Sequence, residues 1–186
     1  MRNQMTITQK SYQAYPKLVT VVGAKSGEKV NYMAAAWHTY LSHTPPLYGV
    51  AIAPKRFTHD MIIESGEFNC NFLPFNKLKL INSTGRISGK DCDKIEILNL
   101  QIEQGISINT PFISDAYAVI ECKLKQRLNL GDHTLFIGEI VHTKEKGNAF
   151  RENGILDCQN ISPTFYLGSD TYITTDKSSI NILPHD

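Results

Sequence analysis

The sequence lacks most of the features that identify a protein's chemistry at sight. Its four cysteines lie far apart with no Cys-x-x-Cys pair, which disfavours a redox dithiol and a zinc site of the usual spacing. The 19 basic and 18 acidic residues leave a net charge of +1, so the chain has no basic excess for binding a nucleic-acid backbone. No apolar run reaches the length of about 20 residues that a membrane-spanning helix needs. The composition therefore predicts neither nucleic-acid nor membrane partners.

Several short motifs are also missing. The segment Met1–Thr6 has no apolar core of a signal peptide, and together with the sparse thiols this predicts a cytoplasmic protein. No Gly-x-Gly-x-x-Gly, Gly-x-Ser-x-Gly or His-Glu-x-x-His motif occurs, which disfavours a Rossmann dinucleotide site, a serine-hydrolase elbow and a zinc protease. The segment 85–91 resembles a phosphate loop, but it has three residues between its glycines and Asp91 after Lys90. A Walker loop needs four residues there and Ser or Thr after the lysine. The six scattered histidines form no metal-ligand pattern.

Short β-type runs, in contrast, recur along the chain. They are rich in β-branched and aromatic residues or alternate apolar with polar residues, and both patterns favour strands. The two longest runs meet at Leu130-Gly-Asp-His133, which predicts an antiparallel hairpin. The predicted strands are Lys17–Val22, Val30–Trp37, Leu47–Ala53, Phe68–Leu73, Ala118–Leu128, Thr134–Thr143, Phe165–Leu167 and Tyr172–Thr174.

Helical patterns are fewer and shorter. Thr58–Gly66 has a Thr or Asp to cap its start and a glycine to end it, which predicts one short helix. Lys77–Ser83 predicts a second that ends near Gly85, followed by a polar loop over residues 85–93. Because strands outnumber helices without regular alternation, we predict a mainly β, closed or partly closed antiparallel barrel with a few short flanking helices. The length of 186 residues, without linker or repeat, predicts a single domain over residues 1–186.

Polar and aromatic side chains recur where the predicted strands end. The chain's only tryptophan, Trp37, ends one strand. Arg56 and Thr58 stand at the start of a predicted helix, where free N–H groups and the helix dipole favour an anion. An aromatic plane beside an anion-binding corner suits a phosphorylated ring cofactor. The alternative is structural, with Trp37 in the core, Thr58 as a cap and Arg56 solvated. Lys94, in a glycine-bearing loop, and His133, at the hairpin corner, allow the same two interpretations.

Six short segments, taken in order, resemble the flavin reductase-like, FMN-binding split β-barrel proteins, and among them the flavoredoxin type. Each segment is weak by itself, and the ordered series covers roughly residues 18–172. The segments are Asn31-Tyr-Met-Ala-Ala-Ala-Trp37, Pro45-Pro46, Ala53-Pro-Lys-Arg-Phe-Thr58, Gly66-Glu-Phe-Asn-Cys-Asn71, Ser88-Gly-Lys-Asp-Cys-Asp-Lys94 and Gly131-Asp-His-Thr-Leu-Phe-Ile-Gly-Glu139.

The resemblance implies a six-stranded Greek-key antiparallel split barrel that forms a homodimer with one non-covalent FMN per subunit. It implies no catalytic side chain and no metal. Cations and donors would hold the FMN phosphate, and Trp37 or Tyr166, with Phe165 as the neighbouring alternative, would cover the ring. Either Lys94 or His133 would lie beside the N1–O2 edge of the ring. The implied FMN contacts are Asn31, Trp37, Arg56, Thr58, Asn71, Lys94, His133 and Tyr166.

Three functional hypotheses follow. The first is a flavin oxidoreductase in which NAD(P)H, as co-substrate, reduces bound FMN, and the electrons go on to free flavin, a metal centre or a redox protein. The second is a non-enzymatic flavoredoxin-type FMN electron carrier that a partner protein reduces. The third is a β-rich interaction module that binds no FMN.

Overall fold

The computed structural model describes residues 12–181, which are mainly β-strand with a few short helices. The strands are β1 Lys17–Leu18, β2 Thr20–Ser26, β3 Lys29–Ala35, β4 His38–His43, β5 Pro46–Ile52, β6 Glu67–Phe72, β7 Ile102–Glu103, β8 Phe112–Ile113, β9 Ala118–Leu130, β10 His133–Glu145, β11 Phe165–Gly168 and β12 Thr171–Ile173. The helices are α1 Phe57–Ser65, α2 Leu78–Arg86 and α3 Lys94–Ile97, with 3₁₀ turns at Phe75–Lys77 and Lys177–Ser179.

The principal sheet closes into a barrel through one bent strand. Its order is β3-β2-β6-β9-β10-β5-β4, so β3 and β4 form its two edges. These two strands are consecutive in the chain and are separated only by Ala36 and Trp37. If β3 and β4 are counted as one bent strand, the barrel has six antiparallel strands. Their order is a Greek key, because α1 connects β5 to β6 across the barrel. The predicted fold class is confirmed.

The long hairpin is also confirmed. Strands β9 and β10 pair antiparallel from His133–Leu130 to Glu145–Ala118, and Gly131 in the tight turn has a φ of 60°, where glycine carries no steric penalty. At Gly138 the hairpin approaches the barrel interior so closely that an added Cβ would lie 2.6 Å from Cys122 Cβ. Glycine is therefore required at that position for packing.

Two apolar clusters bury both faces of the first barrel strands. Val22, Ile52 and Phe136 lie in the barrel interior, whereas Val21 and Ile81 lie in a cluster on the outside, where α2 packs on β3. Successive residues of a strand point to opposite faces, so Val21 and Val22 enter different clusters. Full burial of one such side chain contributes about 1.5–3 kcal/mol. Packing of α2 against this outer cluster fixes the helix beside β3.

The helices begin and end differently from the sequence expectation. Helix α1 begins after Arg56, which has no side-chain cap, and ends at Gly66, whose φ of 70° and N–H bond to Ile62 O give the expected glycine stop. The expectation that Thr58 caps this helix was wrong, because Thr58 lies inside the first turn. The predicted loop 85–93 starts inside α2 and leads to the unpredicted α3, which Asp93 caps through the N–H groups of residues 95 and 96. No helix among residues 12–181 is long and apolar enough to cross a membrane.

Candidate functional site

Three adjoining cavities open where β3 bends into β4. The basic cavity, of about 190 Å³, lies between β3, the start of α1 and the loop before α3. The central cavity, of about 510 Å³, lies at the bend itself, and the tyrosine cavity, of about 470 Å³, lies between α2 and the β11–β12 turn. Arg56 lines all three, and Tyr166 lines the central and tyrosine cavities. Arg86 lines the basic and tyrosine cavities. The defining residues are Asn31, Thr58, Gly89 and Lys94 for the basic cavity, Trp37, Pro54 and His133 for the central cavity, and Tyr12, Asp170 and Tyr172 for the tyrosine cavity.

The start of α1 gives the basic cavity an anion-binding wall. The first N–H groups of a helix have no partner within it, and they carry the positive end of the helix dipole. Thr58 is buried in this first turn, and its Oγ1 accepts a hydrogen bond from Asn31 Nδ2 at 2.8 Å. Because the Thr58 oxygen accepts from Asn31, the hydroxyl hydrogen of Thr58 is left to donate to an anion.

Asn31 leaves one buried acceptor in the basic cavity. Its Oδ1 has no hydrogen-bond partner among the described residues, although the residue is only 2 % exposed. Gly89 faces this atom, and a Cβ at Gly89 would overlap Asn31 Oδ1. An unsatisfied buried acceptor costs about 1–3 kcal/mol, so a ligand that donates a hydrogen bond here would remove that cost.

Lys94 supplies a buried positive charge behind the basic cavity. Its Nζ donates to Tyr32 O at 2.7 Å and to Thr84 O at 2.8 Å. Burial lowers the pKa of Lys94 to about 8, and the nearby charge of Arg56 acts in the same direction. An ammonium group has three N–H donors, so one remains after the two carbonyls are satisfied. Lys94 thus ties β3 to α2 and also faces the basic cavity.

Aromatic side chains form the mouth of the central cavity. Trp37 is 51 % exposed, and its ring centroid lies 4.7 Å from that of His133 at an interplanar angle of 40°. The Trp37 indole N–H donates to Tyr15 Oη at 3.0 Å, and His133 Nδ1 lies 2.7 Å from Asp132 Oδ1. The hydrogen bond from His133 lowers the pKa of Asp132. Both rings are therefore oriented by neighbours and line the central cavity.

Tyr166 forms the wall between the central and tyrosine cavities. Its ring packs edge-on against Tyr15, with centroids 6.0 Å apart, and tilted against Tyr172, with centroids 5.0 Å apart. The alternative residue, Phe165, lines neither cavity. Of the predicted aromatic pair, Tyr166 is the one that the structure brings to the site.

Asn71 is not brought to the site. Its Nδ2 donates to Val21 O at 2.8 Å and to Asn69 Oδ1 at 2.7 Å, and its Oδ1 accepts from Ile113 N at 2.8 Å. The residue is fully buried and lines none of the three cavities. The predicted cofactor contact is corrected to a structural one, because this carboxamide joins β6 to β2 and β8. The other seven predicted residues line the three cavities.

The sequence analysis missed several residues of the site. Tyr12, Tyr15 and Tyr172 come from opposite ends of the chain, and Arg86 with Asp170 joins α2 to the β11–β12 turn. No local sequence spacing indicates that these tyrosines share a site, because the two ends of the described chain come together only through the pairing of β1 with β11. An unusual number of tyrosines near both ends of the described chain was the only available signal.

Comparison with known proteins identifies the relatives of this fold. Residues 12–169 match the profile of the flavin reductase like domain. The chain belongs to the flavin reductase-like family. A curated relative, an uncharacterized protein of Archaeoglobus fulgidus, is 38% identical over 138 residues, which is 74% of this chain and 77% of the relative.

Solved structures agree with that family. An FMN-binding protein from Thermus thermophilus with bound 1-cyclohex-2-enone is 32% identical, with a TM-score of 0.86 over 99% of this chain and 98% of that chain. Flavoredoxin of Desulfovibrio vulgaris (Miyazaki F) is 25% identical, with a TM-score of 0.84 over 98% of this chain and 96% of that chain. This flavin reductase-like protein therefore shares its fold with an FMN-binding protein and a flavoredoxin.

Proposed function

We propose that this flavin reductase-like protein binds FMN and acts as an NAD(P)H-dependent flavin oxidoreductase that delivers electrons to free flavin, a metal centre or a redox protein. The observation that carries the proposal is the direct junction of a basic cavity with an aromatic one, with Arg56 in the wall of both. FMN has the matching shape, with a phosphate at one end and a flat ring at the other. Relatives named as an FMN-binding protein and a flavoredoxin support the cofactor.

The basic cavity fits the phosphate and the sugar chain. Arg56, Lys94 and the start of α1 supply positive charge and N–H donors, and charge-assisted bonds to phosphate are the strong ones. The Thr58 hydroxyl adds a donor. The unpartnered Asn31 Oδ1 would accept from a ribityl hydroxyl, which is the ligand donor that its burial calls for. Gly89 lets that part of the ligand approach the backbone.

The central cavity fits the ring. Trp37, His133 and Tyr166 offer planar faces, and aromatic faces stack on flat conjugated ligands. When bound, FMN supplies hydride and single-electron chemistry. The chain's own residues bind and orient the ring, and a cation at its N1–O2 edge would stabilise negative charge there. His133 is the candidate for that edge, because it lines the central cavity whereas Lys94 lines the basic one.

The decisive experiment mixes the FMN-loaded protein with NADH or NADPH without oxygen and follows the visible flavin absorbance. We expect at least one of the two nucleotides to bleach the flavin absorbance on the time scale of an enzymatic turnover. Unchanged absorbance with both nucleotides would contradict the reductase proposal, provided that dithionite bleaches the same sample.

We further propose a homodimer, as the family resemblance implies.

A second candidate function is a flavoredoxin-type electron carrier. The structural likeness to a flavoredoxin favours it, and so does the exposure of Trp37, which leaves the mouth of the central cavity open to a protein partner. Slow reduction by both nicotinamide nucleotides but fast reduction by a reduced ferredoxin would select the carrier. If the protein is colourless after excess FMN has been removed, the third hypothesis, an interaction module, remains.

A further inference from the structure

The tyrosine cavity adjoins the proposed FMN site and shares Arg56, Arg86 and Tyr166 with its two cavities. The basic and central cavities already match the two ends of FMN. The tyrosine cavity of about 470 Å³ is lined by residues that neither of them uses, including Tyr12, Asn82, Asp170 and Tyr172. A cavity of this size, adjoining a cofactor site through Tyr166, has the volume of a small-molecule binding site.

Tyrosine rings give this cavity planar walls. Tyr166 and Tyr172 pack with centroids 5.0 Å apart, and Tyr12 packs edge-on against Tyr15 with centroids 5.2 Å apart. Rings that support one another in this way keep their orientation. Their faces favour offset or edge-on contact with another aromatic ring. The walls therefore select a flat, conjugated ligand.

The charged groups of the cavity are unbalanced. Arg56 and Arg86 line it as cations, and Asp170 is its only acidic lining residue among those described. Arg86 forms an ion pair with Asp170, whereas no ion pair of Arg56 is found among residues 12–181. Arg56 also lines the basic cavity, where the proposed function places it beside the FMN phosphate, and its five N–H donors let it contact a second anion in the tyrosine cavity. Guanidinium groups bind carboxylates by two parallel hydrogen bonds. The two guanidinium groups therefore favour an anionic ligand.

Backbone geometry fixes the acidic partner of Arg86. Ser169 and Asp170 have φ angles of 48° and 59° in the tight β11–β12 turn, and the N–H of Asp170 donates to Tyr166 Oη at 3.3 Å. The turn thus joins the carboxylate that restrains Arg86 to the ring that separates the two cavities. Asparagine tolerates this backbone conformation as well as aspartate does, so the charge can be removed without changing the turn.

We propose that the tyrosine cavity binds a planar aromatic carboxylate, with the carboxylate on Arg86 and Arg56 and the ring against Tyr166 and Tyr172. Asp170 competes with the ligand for Arg86 and so weakens its binding. Of these four residues, only Tyr172 is confined to the tyrosine cavity. The position of the ligand beside a flavin rests on the proposed function.

Equilibrium dialysis of the FMN-loaded protein with 2-naphthoate tests the proposal, with 2-naphthamide as the uncharged control of the same shape. We expect the acid to bind at least about tenfold more tightly than the amide, since one charge-assisted contact is lost. Equal affinity of the two compounds, or no binding of either, would overturn the proposal. Displacement of FMN by the acid would also overturn it, because the two cavities would then be one site.

Two substitutions of opposite expected effect complete the test. Arg86→Gln should weaken 2-naphthoate binding about tenfold or more, and Asp170→Asn should strengthen it several-fold because Arg86 is released. Arg127→Gln, on an exposed part of β9, is the matched control and should have no effect. A change of the same sign in the first two variants would overturn the proposal. FMN affinity is measured separately on each variant, so failure of the flavin site and failure of the carboxylate site give different results.

Discussion

At the residue scale, the basic cavity depends on a few side chains that each have two tasks. Thr58 satisfies Asn31 and has a hydrogen left for a ligand, and Lys94 holds two backbone carbonyls while it faces the same cavity. Replacing a residue that has both a structural and a binding task should change both the stability of the protein and its affinity for FMN. The size of each effect separates the two tasks.

Replacement of the Thr58 hydroxyl tests the first pair. Thr58→Val keeps the shape but leaves Asn31 Nδ2 without its acceptor, which should lower the free energy of unfolding by about 1–3 kcal/mol. FMN affinity, measured by fluorescence quenching, should fall by roughly tenfold because one hydroxyl donor is lost. Thr58→Ser keeps the hydroxyl and should behave much like the wild type. Equal FMN affinity of the valine and serine variants would remove Thr58 from the site.

The pH dependence of FMN affinity tests Lys94. Burial lowers the pKa of Lys94 to about 8, and the FMN phosphate is already dianionic above a pH of about 6. The affinity of the wild type should therefore fall as the pH rises through and above 8, by up to roughly a hundredfold once the ammonium charge is lost. Bound phosphate favours the charged form and raises the pKa of Lys94 in the complex, so the fall should begin near the pKa of the free protein and end near the higher pKa of the complex.

Lys94→Met is the comparison for this measurement. It should bind FMN more weakly at pH 7 and show no corresponding fall above pH 8, because the titrating group is absent. Lys90→Met, at an exposed position in the loop before α3, controls for a general loss of positive charge. Parallel curves for the wild type and Lys94→Met would show that another group causes the fall.

At the scale of elements, glycines decide how closely strands and loops approach one another. A Cβ at Gly89 would overlap Asn31 Oδ1 and would lie 3.0 Å from the Phe57 ring, at the basic cavity. A Cβ at Gly138 would lie 2.6 Å from Cys122 Cβ and 2.8 Å from the Phe68 ring, inside the barrel. The same substitution at the two glycines should therefore have different consequences.

The two alanine variants make a matched pair. Gly138→Ala should lower the free energy of unfolding by about 1–3 kcal/mol through overpacking, with the FMN affinity of the folded protein unchanged. Gly89→Ala should weaken FMN binding more than it lowers stability, because the loop that carries it can move away from Asn31. Urea unfolding and fluorescence quenching measure the two effects. The reverse pattern would mean that the loop with Gly89 is not part of the flavin site.

The elements also show how far the sequence could predict the fold. Strands with a buried face, such as β2 and β6, and the long hairpin follow from β-branched and alternating patterns. Strand β4 escaped prediction because His38–His43 is mostly exposed and has no alternation. Helix α3 escaped because its four residues, Lys94–Ile97, are too few for a helical period. Asn71 was predicted as an FMN contact because the sequence alone does not distinguish a strand carboxamide that binds a ligand from one that hydrogen-bonds to the backbone.

At the scale of the whole molecule, the site exists because the barrel is closed by one bent strand. The bend at residues 36 and 37 brings β3, the start of α1 and the β9–β10 turn together, and it places Trp37 over the opening. The family resemblance predicted which segments meet there. The tyrosine cavity could not be predicted, since it needs β11 to pair with β1 across most of the chain. The single-domain organisation stays a prediction.

The binding of FMN itself is the most direct test of this account. Purified protein is titrated into a fixed concentration of FMN, and flavin fluorescence is followed to saturation. We predict saturable quenching with one FMN per chain, weakened by Thr58→Val and Lys94→Met and unaffected by Arg127→Gln. Flavin fluorescence that stays unchanged at every protein concentration would contradict it.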